Sequence, residues 1–134
     1  MPASRMPHTV MVIDDSELDL LFARIMLEGT GQVQRLLPFG SAREALQYLD
    51  GPEGAAVDLI LLDINMPGMD GFEFLDAYEA RMQVQRPTRQ APVAMLTSSP
   101  DPADRVRAQR HACVQAYVTK PLDADSALAL CRQG

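Results

Sequence analysis

Five side chains in this chain have the types and the spacing to handle a phosphoryl group. Asp14 and Asp15 are adjacent, and Asp63, Thr97 and Lys120 follow at long intervals. Each site stands directly behind a short apolar run: VMVI before Asp14, LILL before Asp63, VAML before Thr97 and VQAYVT before Lys120. If those runs are strands of one sheet, the five side chains meet at one edge. Three carboxylates in one pocket repel; at an effective dielectric of ~20, two unit charges ~4 Å apart cost about 4 kcal/mol. The cluster calls for a cation or for protonation. Oxygen-only ligands suit Mg2+, which takes one or two carboxylates and completes its shell with water and phosphate oxygens. The motifs contain no His or Cys, which makes them a poor zinc site. Asp63, read as an exposed carboxylate beside such a cation, has the chemistry to attack phosphorus. Lys120 would neutralise charge on the phosphoryl oxygens, and Thr97 would donate a hydrogen bond to them. Phosphoryl transfer asks mainly for such positioning and electrostatics. Asp14 and Asp15 as mere helix caps would account for the pair, but not for Asp63 and Lys120 at equivalent places.

The elements that must position these groups are legible as five apolar runs alternating with helical stretches. The runs are Thr9–Ile13, Val33–Leu37, Val57–Leu62, Pro92–Leu96 and Val114–Val118. Continuous rather than alternating hydrophobicity implies burial on both faces, hence a parallel sheet. Pro38 directly after the second run marks it as an edge strand. Ser16 is placed to cap the first helix, with Asp19 three residues on as a weak capping box. Leu18, Leu21, Phe22 and Ile25 share one helical face, and Gly29 and Gly31 stop that helix. Ser41 caps a helix over 42–49, and another is expected over 71–82, followed by a polar connector at 84–91. Asp101 and Pro102 have the pattern of an N-cap and a first helical turn, for a helix running to about Ala112. Asp123 or Asp125 opens a last helix that ends near Gln133. The fourth helix carries few large apolar residues, chiefly Val106, and Arg105, Arg107 and Arg110 are expected to form a solvated face. The order is (βα)5, a doubly wound α/β fold whose sites lie at the carboxyl ends of its strands.

The motifs VIDD (12–15), LILLDINMPGMDGFEFL (59–75), PVAMLTSS (92–99) and AYVTKPLD (116–123) resemble the response-regulator receiver family, in its order and at its spacing. The resemblance covers about His8 to Arg132. It implies a flavodoxin-like five-stranded parallel sheet of order 2-1-3-4-5. It also implies that Asp63 accepts phosphate from a sensor histidine kinase. Asp14, Asp15 and Asp63 would hold Mg2+, with the backbone carbonyl of Asn65 as a further ligand. Thr97 would be the switch hydroxyl, Tyr117 the switch aromatic, and Lys120 the phosphoryl-binding amine, joined to Pro121 by a cis bond. The Met66-Pro67-Gly68 loop and Gly71 fit the family's segment behind the acceptor. TSS at 97–99 and the long connector before the fourth strand are most similar to the single-domain regulators that partner bacteriophytochrome-type kinases. A phosphoryl signal would leave through the face of the fourth helix, fifth strand and last helix. It would reach a downstream protein or a second copy of the chain, although the short last helix argues against dimer contacts that need a longer one.

Composition bounds the rest. With 134 residues, 47% hydrophobic and 22% charged, the chain fits one domain, 1–134, with a core of about 8–132 and no output domain. A net charge of −6 argues against binding nucleic acid or an anionic membrane surface. Two cysteines without CxxC spacing and no long apolar segment point to a reduced, cytoplasmic protein. A haloacid-dehalogenase-type phosphatase would need an Asp where Asn65 stands, and a flavodoxin would need a phosphate cradle where Asp14 and Asp15 repel phosphate. Two alternatives share the receiver fold: relay of phosphate to a histidine phosphotransfer protein, and an interaction module that no longer uses phosphate. The intact set Asp14, Asp15, Asp63, Thr97 and Lys120 argues against the second.

Overall fold

The computed structural model describes residues 9–85, 90–99 and 101–132. Strands and helices alternate as β1 (Thr9–Ile13), α1 (Glu17–Glu28), β2 (Arg35–Phe39), α2 (Ala42–Asp50), β3 (Leu59–Leu62), α3 (Gly71–Gln85), β4 (Val93–Thr97), α4 (Pro102–Gln109), β5 (Val114–Thr119) and α5 (Ala124–Arg132). A single 3-10 turn, Gly54–Ala56, precedes β3. Every strand pair is parallel, in the order β2-β1-β3-β4-β5. All residues of β3 and β4 are buried, as are four of five in β1. These central strands must be apolar on both faces because helices cover both. Side chains alternate between two layers. Met11, Ile13, Ile60, Leu62 and Met95 pack with Phe74 and Tyr78 on one face. Val10, Val12, Leu59, Leu61 and Leu96 pack with Ala23, Leu27, Ala127 and Leu130 on the other.

Four local expectations are corrected. β2 runs through Pro38 instead of ending before it. The Phe39 carbonyl accepts from the Asp14 N–H at 2.9 Å across to β1. Backbone groups alternate sides along a strand, so Pro38 turns its missing donor to the open edge, where none is needed. In α1 the sheet takes Ala23 and Leu27, whereas Leu18 is 74% exposed and Leu21, Phe22 and Ile25 are exposed as well. The helix carries two apolar stripes, and the one with the small Ala23 lies against the sheet. α3 extends to Gln85, into the expected connector, of which residues 86–89 lie outside the described residues. α4 ends at Gln109, short of Ala112; Arg105, Arg107 and Arg110 are exposed as expected, and two of them also lie over aromatic rings. The Arg105 guanidinium lies 4.7 Å from the centre of the Tyr117 ring, and that of Arg107 lies 4.0 Å from the Phe72 ring. Only Ala108 of α4 is buried, in line with the thin apolar face seen in the sequence. The expected limits of core and last helix at His8 and Gln133 lie outside the described residues. Among the described residues no helix is long and apolar enough to cross a membrane.

Candidate functional site

Parallel register gathers the polar groups. Ile13 pairs with Leu62, so Asp14 and Asp63 leave the sheet side by side. Thr97 pairs with Thr119, which delivers Lys120 to the same edge. Two backbone bonds extend the ladder past the strands: the Asp63 N–H donates to the Ile13 carbonyl at 3.0 Å, and the Lys120 N–H to the Thr97 carbonyl at 2.8 Å. Carboxylate oxygens of Asp14, Asp15 and Asp63 come within 4.8 Å of one another. Asp14 is buried and Asp15 exposed. Asp63, expected to be exposed, is only 6% so.

The loop behind Asp63 returns to the Asp63 backbone. The Gly71 N–H donates to the Ile64 carbonyl at 2.8 Å. A Cβ on Gly71 would stand 2.5 Å from the Asp63 carbonyl oxygen, so only glycine permits this approach. Gly68 makes the turn with φ +80°. A reciprocal capping box then starts α3: the Asp70 N–H donates to Glu73 Oε1 at 2.9 Å, and the Glu73 N–H to Asp70 Oδ1 at 2.8 Å. Asn65 is exposed in the loop, and its N–H and that of Ile64 donate to the Asp63 carboxylate.

The Lys120 ammonium stands among these acids. Its Nζ lies 2.6 Å from Asp14 Oδ2, 2.7 Å from Asp19 Oδ2 and 3.6 Å from Asp63 Oδ2. The bond from Lys120 to Pro121 is cis. Burial alone would lower the pKa of this amine, but hydrogen bonds to Asp14 and Asp19 and the nearby Asp63 hold it above the usual lysine value. Burial also pushes the Asp63 carboxyl up; Lys120 opposes this, Asp14 adds to it, and the two loop N–H groups oppose it, with a net rise. One ammonium thus faces three carboxylates, and Asp15 adds a fourth acid beside Asp14 and Asp63. A hard divalent cation fits the imbalance and the all-oxygen donor set.

Thr97 is fully buried, and its Oγ1 accepts from the Ser99 N–H at 3.1 Å. Tyr117 projects from β5 under Arg105, and its hydroxyl is buried with no hydrogen-bond partner among the described residues. Burial raises its pKa. The structure therefore brings Asp14, Asp15, Asp63, Thr97 and Lys120 to one edge, with Tyr117 two register positions behind, paired with Met95. Sequence reasoning treated Asp19 only as part of a cap. Its backbone does cap, donating to Ser16 Oγ at 3.2 Å, but its carboxylate goes to Lys120. The available signal, an acid one helical turn past Asp15, is weak because acids favour first turns anyway.

Comparison with known proteins gives a consistent result. The family model described as the response regulator receiver domain matches residues 10–132. The two-component response regulator ORR1 of Oryza sativa subsp. japonica is 28% identical over 130 residues, covering 92% of this chain. The chain spans 54% of that relative's length. A two-component response regulator from Cytophaga hutchinsonii superposes with a TM-score of 0.83 at 30% identity, over 94% of this chain and 95% of that one. The bacteriophytochrome response regulator RtBRR superposes with a TM-score of 0.74 at 29% identity, over 93% and 76% of the two chains.

Proposed function

The chain belongs to the response regulator receiver domain family, and from that premise we propose that it accepts a phosphoryl group from a histidine kinase on Asp63 and passes the signal to a protein partner. The observation that carries this reading is the meeting of three mutually close carboxylates with the Lys120 ammonium at one sheet edge. Asp14, Asp15 and Asp63 would hold Mg2+, with the Asn65 carbonyl as a fourth protein ligand. When bound there, the cation would supply charge neutralisation to the transferring group. An Asp63 carboxylate oxygen forms the new bond to phosphorus while the bond from phosphorus to the donor histidine nitrogen breaks, and the histidine leaves with the electron pair. Asp63 must be ionised to attack, and Lys120 favours that form against the cost of burial.

Thr97 and Lys120 are the donors placed to meet the phosphoryl oxygens. Hydrogen bonds to a charged group contribute ~1.5–3 kcal/mol each, and taking a two-state equilibrium from 1:99 to 99:1 needs ~5.5 kcal/mol. Two such bonds reach that range. When Thr97 turns toward the phosphoryl group, the Tyr117 ring gains room and its orphan hydroxyl can find a partner. The signal then leaves by the face of α4, β5 and α5. The structural likeness to RtBRR supports a bacteriophytochrome-type kinase as the donor. A cytoplasmic location follows from that partnership. Incubation with acetyl phosphate and Mg2+ tests the core of the proposal: the parent gains one alkali-labile phosphoryl mass, and Asp63→Asn gains none. A variant that labels like the parent refutes the assignment.

A further inference from the structure

We infer that Asp19 is a positioning residue, one that holds the Lys120 ammonium back from Asp63 in the resting protein and yields it when a phosphoryl group arrives. The inference rests on the acceptor role proposed for Asp63. Lys120 Nζ makes short hydrogen bonds to Asp14 Oδ2 (2.6 Å) and Asp19 Oδ2 (2.7 Å) but stands 3.6 Å from Asp63 Oδ2, outside hydrogen-bond range. Closing that last gap stretches one of the two short contacts. Asp14 cannot easily be the one to let go: its side chain is 3% exposed and its other oxygen is fixed by the Ser16 N–H at 2.9 Å. Asp19 can. Its side chain is 41% exposed and borders a cavity of about 280 Å³ that also reaches Ser98, Lys120 and Leu122, so water can take over its hydrogen bonds.

Local structure explains why this carboxylate is available. In a full capping box the acid three residues past the cap would accept from the cap's own N–H. Here Asp14 Oδ1 already accepts from the Ser16 N–H at 2.9 Å, while the Asp19 backbone stays anchored to Ser16 Oγ. The helix start is thereby satisfied without the Asp19 side chain, which is left to Lys120. Asp19 also brings a fourth negative charge close to where an anionic group must bind. It therefore favours the resting protein over the phosphorylated one, both by sharing Lys120 and by direct repulsion.

Asp19→Asn tests this with two binding constants measured by calorimetry: beryllofluoride at saturating Mg2+, and Mg2+ alone. The expected result is beryllofluoride binding about tenfold tighter, the worth of one half-exposed charge-assisted contact. Mg2+ alone should bind severalfold more weakly, because Lys120 then leans on Asp14 and Asp63, where the cation must sit. A role limited to capping or to the helix dipole would alter the melting temperature and leave both constants in place. Beryllofluoride affinity that is equal or weaker in the variant overturns the inference, as does a tightening of both constants together. A parent protein that binds Mg2+ but takes up no beryllofluoride would instead refute the acceptor role of Asp63, so the two failures are distinguishable.

Discussion

Replacing Asp63 by Asn should make the metal-free protein more stable, because its carboxylate sits buried among like charges. The balance can be worked from the distances. Asp63 lies within 4.8 Å of both Asp14 and Asp15, oxygen to oxygen. At an effective dielectric of ~20 each repulsion costs about 3.5 kcal/mol. The Lys120 ammonium at 3.6 Å returns about 4.6 kcal/mol on the same scale. The carboxylate therefore costs about 2 kcal/mol more than it recovers, before any desolvation penalty is added. The amide keeps an oxygen for the Ile64 and Asn65 N–H groups and removes the charge. For a domain of this size the gain corresponds to roughly 8 °C in Tm. The pH dependence has a definite sign. Asp63 has a folded-state pKa raised above its unfolded value, chiefly by burial. Below the unfolded value the carboxyl is protonated in both states and costs nothing. The penalty grows as pH rises through the unfolded value and is complete above the folded one. The advantage of Asp63→Asn is therefore absent in acid and full at neutral pH, and saturating Mg2+ narrows it by stabilising the parent. Urea unfolding of both proteins at two pH values, with and without Mg2+, is the assay. A variant no more stable than the parent at neutral pH without Mg2+ would refute the charge argument.

Three further outcomes follow from the same geometry. Millimolar Mg2+ should raise the parent's melting temperature, and Asp15→Asn should shrink that rise, since metal binding to the folded state stabilises by mass action; a parent indifferent to Mg2+ contradicts the site. Gly71→Ala should destabilise by ~1–3 kcal/mol and slow acetyl phosphate labelling, because the added Cβ meets Asp63 backbone oxygen at 2.5 Å and Ile64 Cα at 2.9 Å; an unaffected labelling rate would show that the loop position does not matter. Hydrogen exchange with beryllofluoride should change protection over residues 97–120 of the parent and far less in Thr97→Ala. Changes confined to the loop around Asp63 would mean that the signal leaves by another route.

The strands were legible because a parallel strand covered on both faces must be apolar at every position, and VMVI, LILL and VAML meet that demand with little else to confuse them. The site residues were legible for a related reason: a polar residue that ends such a run lies at the carboxyl edge of the sheet, whichever strands turn out to be neighbours. Family resemblance added the strand order, which the local pattern does not contain. Helices were read less well. α1 offers one apolar stripe through Ala23 and Leu27 and another through Leu18, Leu21, Phe22 and Ile25, and periodicity cannot choose between them. Contact with the sheet makes the choice, and Ala23 allows the close approach. The stacking of Arg105 on Tyr117 depends likewise on where α4 comes to rest over β5. The close approach of Gly71 to the Asp63 backbone depends on how the loop returns, and the pairing of Asp19 with Lys120 spans 101 positions of sequence. The sequence by itself thus determined which groups reach the edge, since each follows from its own strand. Only the tertiary structure decided how they share charge, because a carboxylate's partner and its exposure depend on segments that become neighbours only when the sheet is assembled.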